Sequence, residues 1–169
     1  FNPEFKKVVL LVRDPRSVCV SQYFFLQRKG LIETNTFETH FNRFLYTSHP
    51  KYGNWGQHTA SWIATSSNNK PILIVKYEDL LLNSTEILKS VLEFLEIEYH
   101  PEKIERAIEK SSFNKMRNED KKRDSSESNK NKIPFVRKSD PNEWKEYLSA
   151  EMEDQMREEF SYAMNALNY

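Results

Sequence analysis

The sequence predicts an α/β domain in which helical crossovers connect parallel strands. Two short apolar stretches, Val8–Val12 and 71–77, have the near-continuous apolar character of strands that are buried on both faces. Segments with helical periodicity separate the two stretches, which is typical of strands that lie parallel in one sheet. The 169 residues suffice for one hydrophobic core, so we predict a single domain over residues 1–169.

Composition excludes several classes of partner. The 25 basic and 25 acidic residues cancel, so no overall positive field attracts nucleic acid. No stretch approaches the roughly 18 to 20 apolar residues that a membrane span requires. Cys19 is the single cysteine, which excludes an internal disulfide and favours a reducing compartment. We therefore expect a cytoplasmic protein with neither nucleic-acid nor membrane partners.

The end of the first strand has the features of an anion site. Arg13 follows the strand, Asp14 can cap the next helix, and Pro15 suits the first turn of that helix. Ser21 falls on the helix face that points towards Arg13. A guanidinium, a hydroxyl and a helix N-terminus thus meet where open α/β sheets bind ligands. A structural salt bridge of Arg13 explains these residues equally well.

Tyr77 ends the second strand and therefore occupies a position equivalent to that of Arg13. Glu78 and Asp79 follow, and paired carboxylates are typical of acid–base or metal chemistry. Adjacent residues on an extended chain point in opposite directions, so we do not expect these two carboxylates to act as a pair.

The histidines show no pattern typical of catalysis or metal binding. His58 lies between Trp55 and Trp62 on one helical face, which favours a hydrogen-bonded packing role over that of a general base. His40 has no metal-like partner spacing, and we expect it to be solvated.

Two apolar stripes predict helices near and after the middle of the chain. The first stripe predicts a helix packed in the core, and the second predicts one terminal helix. The first comprises Ile87, Leu88, Val91, Leu92 and Leu95, and the second comprises Met152, Met156, Phe160, Met164 and Leu167.

Residues 114–132 differ sharply in composition from the rest of the chain. Charged and small polar residues fill the segment, and Met116 is its one large apolar side chain before Ile133. Such a segment buries little apolar surface, so we predict a mobile loop. Short motifs that combine an aromatic ring with phosphate-binding groups flank it at 111–113 and 133–138. This arrangement indicates a lid over a ligand.

The order of motifs resembles the cytosolic-type sulfotransferase family, over essentially the whole chain. Five segments carry the resemblance: Val-Arg-Asp-Pro-Arg-Ser-Val-Cys-Val-Ser (12–21), Tyr-Gly-Asn-Trp-Gly-Gln-His-Thr-Ala-Ser-Trp (52–62), Lys-Tyr-Glu-Asp-Leu (76–80), Ser-Ser-Phe-Asn-Lys-Met-Arg (111–117) and Phe-Val-Arg-Lys-Ser-Asp-Pro-Asn-Glu-Trp-Lys (135–145). The family moves a sulfuryl group from 3′-phosphoadenosine 5′-phosphosulfate (PAPS) to an alcohol, phenol or amine. The resemblance implies a three-layer α/β fold of the P-loop NTPase-like type, with a mostly parallel sheet between helices.

The resemblance also implies a nucleotide site. Arg13 and Ser21 would bind the 3′-phosphate, and Tyr77 would reach the nucleotide. The residues implied near the adenine are Ser111, Phe113 and Met116. The residues implied to reach the 3′-phosphate from the lid side are Phe135, Val136, Arg137, Lys138 and Ser139. Ser139 and Asn142 replace glycines of the family pattern, so the backbone there approaches a phosphate less freely.

The resemblance does not extend to the family's transfer machinery. Its 5′-phosphosulfate loop and its catalytic histidine lie upstream of the segment that Val8–Val12 opens, and this sequence begins after both. We therefore expect a domain that is incomplete at its amino terminus, no catalytic residue in this chain, and no activity of the isolated chain. The implied cofactor is PAPS, with adenosine 3′,5′-bisphosphate (PAP) as product, and no metal is expected.

Two other functions are compatible with the sequence. A P-loop kinase-like phosphotransferase would show a similar order of strands and helices, and a non-catalytic helical interaction domain would use Arg13 and the lid lysines in surface pairs. For the sulfotransferase, Phe24, Phe25, Phe37 and Phe41 favour a small apolar or aromatic acceptor. The family's dimer motif is matched only loosely at 145–154, so a homodimer is compatible with the sequence but not predicted by it.

Overall fold

The structure is a computed structural model that describes residues 5–32, 36–47, 49–67, 71–126, 133–134, 137 and 140–169. Within these ranges the chain forms two strands, a series of helices and one 3-10 turn. In chain order the elements are β1 (Val8–Val12), α1 (Pro15–Arg28), α2 (Phe37–Tyr46), α3 (Trp55–Ser67), β2 (Ile72–Lys76), α4 (Tyr77–Leu82), α5 (Ser84–Phe94), α6 (Pro101–Lys110), α7 (Phe113–Ser126), the 3-10 turn (Glu143–Glu146), α8 (Ala150–Glu159) and α9 (Ser161–Leu167).

The two described strands pair in parallel, as their apolar composition predicts. The register sets Val8 opposite Ile72 and Val12 opposite Lys76. Helices α1 to α3 connect the strands, which is the crossover connection expected of an α/β fold. Because the register brings both strands to an end together, the residues that follow them lie side by side.

Helix α1 begins and ends where its capping residues predict. The Asp14 side chain accepts a hydrogen bond from the Arg16 amide, and Pro15 occupies the first turn. The helix ends at Arg28, and Gly30 then adopts a left-handed conformation with φ of 65°. Glycine allows this reversal without steric strain.

The core lies between α1, α2, the 3-10 turn and the last two helices. Its fully buried centre includes Cys19 from α1, Phe41 and Leu45 from α2, and Met156 and Phe160 near the end of the chain. Burial raises the pKa of the Cys19 thiol to about 12, so this thiol stays protonated and packs as an apolar side chain.

The apolar stripe near the end of the chain forms two helices and not the single helix predicted. Phe160 separates α8 from α9, with φ of −104° and ψ of 21°. Its ring packs closely on α3, because a Cβ atom added at Gly56 would lie 2.5 Å from Phe160 Cδ1. The stripe is nevertheless buried as predicted from Met156 to Leu167.

The face formed by β1, α4 and α5 is less buried than the sequence predicts. Leu11 of β1 is 55% exposed and Leu82 of α4 is 78% exposed. Helix α5 has no fully buried residue, and its apolar stripe is half-buried. The prediction that α5 packs in the core is therefore wrong in this chain.

The prediction of a loop over 114–132 is wrong for residues 114–126, which belong to helix α7. The segment is rich in lysine, arginine and glutamate, whose unbranched side chains favour helices even without an apolar stripe. Asp120 is almost fully buried, and its Oδ1 lies 3.8 Å from Arg28 Nη2 on α1. This ion pair links α7 to α1. Residues 127–132 lie outside the described ranges.

Within the described ranges, no helix has both the length and the apolar composition that a bilayer crossing requires.

Candidate nucleotide-binding cleft

The two residues that follow the strands lie in contact. Arg13 follows β1 and Tyr77 follows β2, and the guanidinium carbon of Arg13 lies 4.5 Å from the centroid of the Tyr77 ring. Arg13 Nε is buried and finds no hydrogen-bond partner among the described residues. A buried donor without a partner costs about 1–3 kcal/mol. The site would therefore be stabilised by an acceptor such as a phosphate oxygen.

The start of α1 is held by a network around Asp14. Its carboxylate accepts hydrogen bonds from Arg16 Nε and Nη2, and the Arg16 guanidinium lies 4.1 Å from the Trp144 ring centroid. The Ser17 hydroxyl donates to the Pro141 carbonyl at 3.0 Å. These contacts fix the segment 140–144 against the first turn of α1, which brings it to the same edge of the sheet as Arg13.

The described candidate site residues line one cleft of about 1190 Å³. Its walls come from β1, α1, α4, α6 and α7, from Ser84 at the start of α5, and from the described residues Pro134, Arg137 and 140–144. Every candidate that the structure describes lines it: Arg13, Ser21, Tyr77, Ser111, Phe113, Met116 and Arg137. The other four candidates, Phe135, Val136, Lys138 and Ser139, lie outside the described residues. Residues from distant parts of the sequence therefore share one cavity, as the ordered motifs predict.

The adenine-side candidates lie at the junction of α6 and α7. The Ser111 hydroxyl donates to the Ala107 carbonyl at 2.9 Å, so it terminates α6 in the structure. Phe113 is the first residue of α7 and is half-buried, whereas Met116 is 41% exposed. The guanidinium carbon of Arg117 lies 5.7 Å from the Phe113 ring centroid. An aromatic ring and a thioether at the mouth of a cleft can contact the flat face of a base.

Arg137 lines the cleft and lies against Phe24 of α1. Its guanidinium carbon lies 3.2 Å from the Phe24 ring centroid, and it forms an ion pair with Glu143. A phosphate bound to Arg137 would have to share this guanidinium with the Glu143 carboxylate or displace it.

Ser21 lies on α1, lines the same cleft as Arg13 and is exposed. Its hydroxyl can both donate and accept a hydrogen bond. Arg13 and Ser21 thus bring a guanidinium and a hydroxyl to the same cleft, and both groups can donate hydrogen bonds to a phosphate.

Glu78 has a role that the sequence did not indicate. It lies in the first turn of α4 and not on an extended strand, and its Oε1 accepts a hydrogen bond from the Asp14 amide at 3.0 Å. Its Oε2 accepts one from the Tyr169 hydroxyl at 2.9 Å. The equivalent positions of Asp14 and Glu78 after two parallel strands are the signal that could have revealed this link.

The structure confirms the prediction for His58 and contradicts the prediction for His40. His58 Nε2 accepts a hydrogen bond from Trp62 Nε1 at 3.0 Å, which confirms the packing role. His40 is buried and not solvated as predicted, and its Nε2 donates to the Cys19 carbonyl at 3.0 Å. Neither histidine lines the cleft. Among the described residues, no group of three or more His, Cys, Asp or Glu side chains could hold a metal ion.

Comparisons with known proteins all indicate the same family. The sequence pattern described as "Sulfotransferase domain" matches residues 4–168. Sulfotransferase 1E1 of Bos taurus is 29% identical over 153 residues, which are 88% of this chain and 51% of that protein. Sulfotransferase 2A6 of Mus musculus is 27% identical over 147 residues, or 85% of this chain and 51% of that protein. The chain thus spans about half the length of the curated relatives it matches.

Solved structures show the same fold. Retinol dehydratase in complex with androsterone and the inactive cofactor PAP superposes with a TM-score of 0.74 at 25% identity, covering 94% of this chain and 47% of that one. Mouse sulfotransferase SULT7A1 complexed with PAP gives a TM-score of 0.67 at 25% identity, covering 94% of this chain and 58% of that one. The helices and the parallel strands of the chain are therefore part of an α/β sulfotransferase fold.

Proposed function

Because the chain belongs to the sulfotransferase domain family, we propose that its cleft binds the adenosine 3′-phosphate part of PAPS and PAP. The whole protein would transfer a sulfuryl group from PAPS to a hydroxyl or amine acceptor. The observation that carries the proposal is Arg13, whose buried Nε has no hydrogen-bond partner among the described residues and lies at the edge of a cleft that Ser21 and Tyr77 also line. A 3′-phosphate is the anion that would complete this donor set.

Each described candidate has a role in this proposal. Arg13 and Ser21 bind the 3′-phosphate, and the Tyr77 ring packs against the Arg13 guanidinium. Phe113 and Met116 contact the adenine. On the resemblance of their segments to the family pattern, Ser111 would lie near the adenine. The residues that would reach the 3′-phosphate from the lid side are Phe135, Val136, Arg137, Lys138 and Ser139.

Sulfuryl transfer itself requires more than this cleft supplies. The acceptor must lose a proton to a base, and charge that develops on the leaving phosphate must be stabilised. The resemblance assigns both tasks to segments upstream of β1. We therefore propose that the isolated chain binds the nucleotide without transferring the sulfuryl group.

We also propose a small apolar acceptor and a cytoplasmic location. Androsterone and retinol are the molecules bound in two of the similar structures. Phe24 and Phe25 line the cleft here, whereas Phe41 is buried in the core. The buried thiol of Cys19 is compatible with a reducing compartment, where free thiols persist.

A thermal-shift comparison of adenine nucleotides tests the proposed function. PAP, ATP and adenosine 5′-phosphate are added to the chain at equal concentrations, and a ligand that binds the folded state raises Tm by mass action. We expect PAP to raise Tm most, because of the three only PAP carries a 3′-phosphate. A larger shift with ATP would support a kinase-like phosphotransferase, and no shift with any nucleotide would support a non-catalytic interaction domain.

A further inference from the structure

Glu78 connects the two strand ends that form the cleft. Its Oε1 accepts the hydrogen bond of the Asp14 amide at 3.0 Å, across the parallel pair from β2 to β1. The Asp14 amide belongs to the peptide unit that also contains the carbonyl of Arg13. Glu78 therefore holds the backbone of Arg13, while the Tyr77 ring, one residue before Glu78, lies against the Arg13 guanidinium.

The second oxygen of Glu78 is held by Tyr169. The Tyr169 hydroxyl donates to Glu78 Oε2 at 2.9 Å. The Tyr169 amide donates to the Met164 carbonyl at 3.0 Å, and Lys76 Nζ lies 4.7 Å from the Tyr169 ring centroid. Arg157 Nη1 donates to the Tyr169 carbonyl at 3.1 Å. The backbone of Tyr169 is thus held by two hydrogen bonds, and its ring lies against Lys76.

The Tyr169 hydroxyl remains a donor throughout the neutral range. Burial and the negative charge of Glu78 both raise the pKa of Tyr169 above its ordinary value. The phenol therefore stays protonated at neutral pH, and its O–H donates to the Glu78 carboxylate oxygen. Bonds of this kind are stronger than those between two neutral groups.

Glu78 is poorly suited to bind the anion itself. It lines the cleft, but a carboxylate repels a phosphate, and each of its oxygens already accepts a hydrogen bond from the protein. Its contacts instead orient the residue on the neighbouring strand that carries the positive charge.

We propose that Glu78 is a positioning residue for Arg13, and that the Tyr169 hydroxyl fixes Glu78 in the orientation that this requires. The inference rests on the proposed function, since the positioned guanidinium is the one assigned to the 3′-phosphate. Loss of the Tyr169 hydroxyl therefore weakens binding of the 3′-phosphate, although no group that touches the nucleotide is removed.

Tyr169→Phe tests the proposal, with affinities for PAP and for adenosine 5′-phosphate measured by calorimetry. We expect the variant to bind PAP about fivefold more weakly, as for a coupled pair within one hydrogen-bond network. Its affinity for adenosine 5′-phosphate should be unchanged, because that nucleotide lacks the phosphate that Arg13 holds. Tyr162→Phe is the matched control, since Tyr162 lies on α9 and is 59% exposed. An unchanged PAP affinity, or an equal loss for both nucleotides, would overturn the proposal.

Variants at Glu78 provide a second measurement of the same role. Glu78→Gln keeps a carbonyl oxygen for the Asp14 amide, so we expect a PAP affinity closer to the wild type than that of Glu78→Ala. Equal losses in the two variants would contradict the positioning role. Where Glu78→Ala does not fold, Glu78→Gln and Tyr169→Phe still decide the question.

Hydrogen exchange of the Asp14 amide separates this proposal from the proposed function, because it needs no nucleotide. We expect faster exchange at Asp14 in Tyr169→Phe than in the wild type or in Tyr162→Phe. Faster exchange supports the positioning role even in a chain that does not prefer PAP, a result that would overturn the proposed function alone. Unchanged exchange contradicts the positioning role whatever the chain binds.

Discussion

His40 lies among aromatic rings at the contact between α1 and α2. Its Nε2 donates to the Cys19 carbonyl, and Nδ1 is buried without a partner among the described residues. The ring centroids of Tyr23 and Phe37 lie 5.4 Å and 6.2 Å from that of His40. Burial lowers the pKa of His40 from 6.5, and the charge of Arg43 lowers it further. The folded state therefore contains the neutral imidazole.

This burial predicts a pH-dependent stability. As pH falls through about 6.5, the imidazole of the unfolded chain takes up a proton before that of the folded chain does. The free energy of unfolding should therefore fall below about pH 6.5, until the folded ring is protonated as well. Urea unfolding of the wild type and of His40→Gln at about pH 7.5 and about pH 5.5 measures this effect.

The variant isolates His40 from the other histidines. Glutamine retains an amide donor for the Cys19 carbonyl but does not titrate, and the other three histidines are the same in both proteins. We expect a smaller loss of stability at the lower pH in His40→Gln than in the wild type. Equal losses would show that His40 does not contribute.

Side chains next to a predicted element were the easiest to place from the sequence. Arg13 and Tyr77 follow apolar strands, so their place at the edge of the sheet could be predicted. The equivalent positions of Asp14 and Glu78 after two strands indicated that the residues lie close together, but not that the Glu78 side chain accepts a hydrogen bond from the Asp14 amide. The burial of His40 depends on rings from both α1 and α2, so local spacing did not reveal it.

The contact between α3 and the α8–α9 junction depends on a glycine. A Cβ atom at Gly56 would lie 2.5 Å from Phe160 Cδ1, and Phe160 is buried in the core. We expect Gly56→Ala to destabilise the chain by about 1–3 kcal/mol through overpacking, which exceeds the helix-propensity gain of alanine. Chemical denaturation measures the change.

A second substitution tests whether the Phe160 ring is the cause. Phe160→Leu removes the ring edge that the new methyl group would meet, so the double variant should lose less stability than the sum of the two single losses. Additive losses would show that Gly56→Ala acts at some other contact.

Among the helices, capping residues predicted helix ends better than composition predicted whether a segment is helical. Asp14, Pro15 and Gly30 fixed the ends of α1 through their own backbone preferences. Helix α7 was missed because the prediction counted its apolar residues and not its helix propensity or the distant ion pair between Asp120 and Arg28. The break at Phe160 was missed because an apolar stripe continues through it with nearly helical spacing.

At the scale of the whole molecule, the sequence predicted the class of fold but not the burial of every layer. Strand composition and the helical crossover were sufficient to predict parallel pairing. The stripe of α5 was expected in the core, yet it is half-buried, and Leu11 and Leu82 are exposed. Periodicity shows which face of a helix is apolar, whereas burial depends on which layer lies opposite that face.

The cleft is a property of the whole chain, because its described candidates come from four separate segments, at 13–21, 77, 111–116 and 137. Motif order predicted that these segments converge, and the structure brings every described candidate to one cavity. Composition alone could not predict this, since the chain has no net charge and the positive groups are local. The distribution of arginines along the cleft, and not the overall charge, is the basis for proposing an anionic ligand.

Calorimetric titration of PAP into Arg13→Ala tests the central claim most directly. We predict a loss of roughly 2 to 4 kcal/mol of binding free energy, because the variant removes the charged partner of the 3′-phosphate. Arg106→Ala, an exposed arginine on α6, should bind PAP as the wild type does. Wild-type affinity for PAP in Arg13→Ala would contradict the assignment of the cleft to the 3′-phosphate.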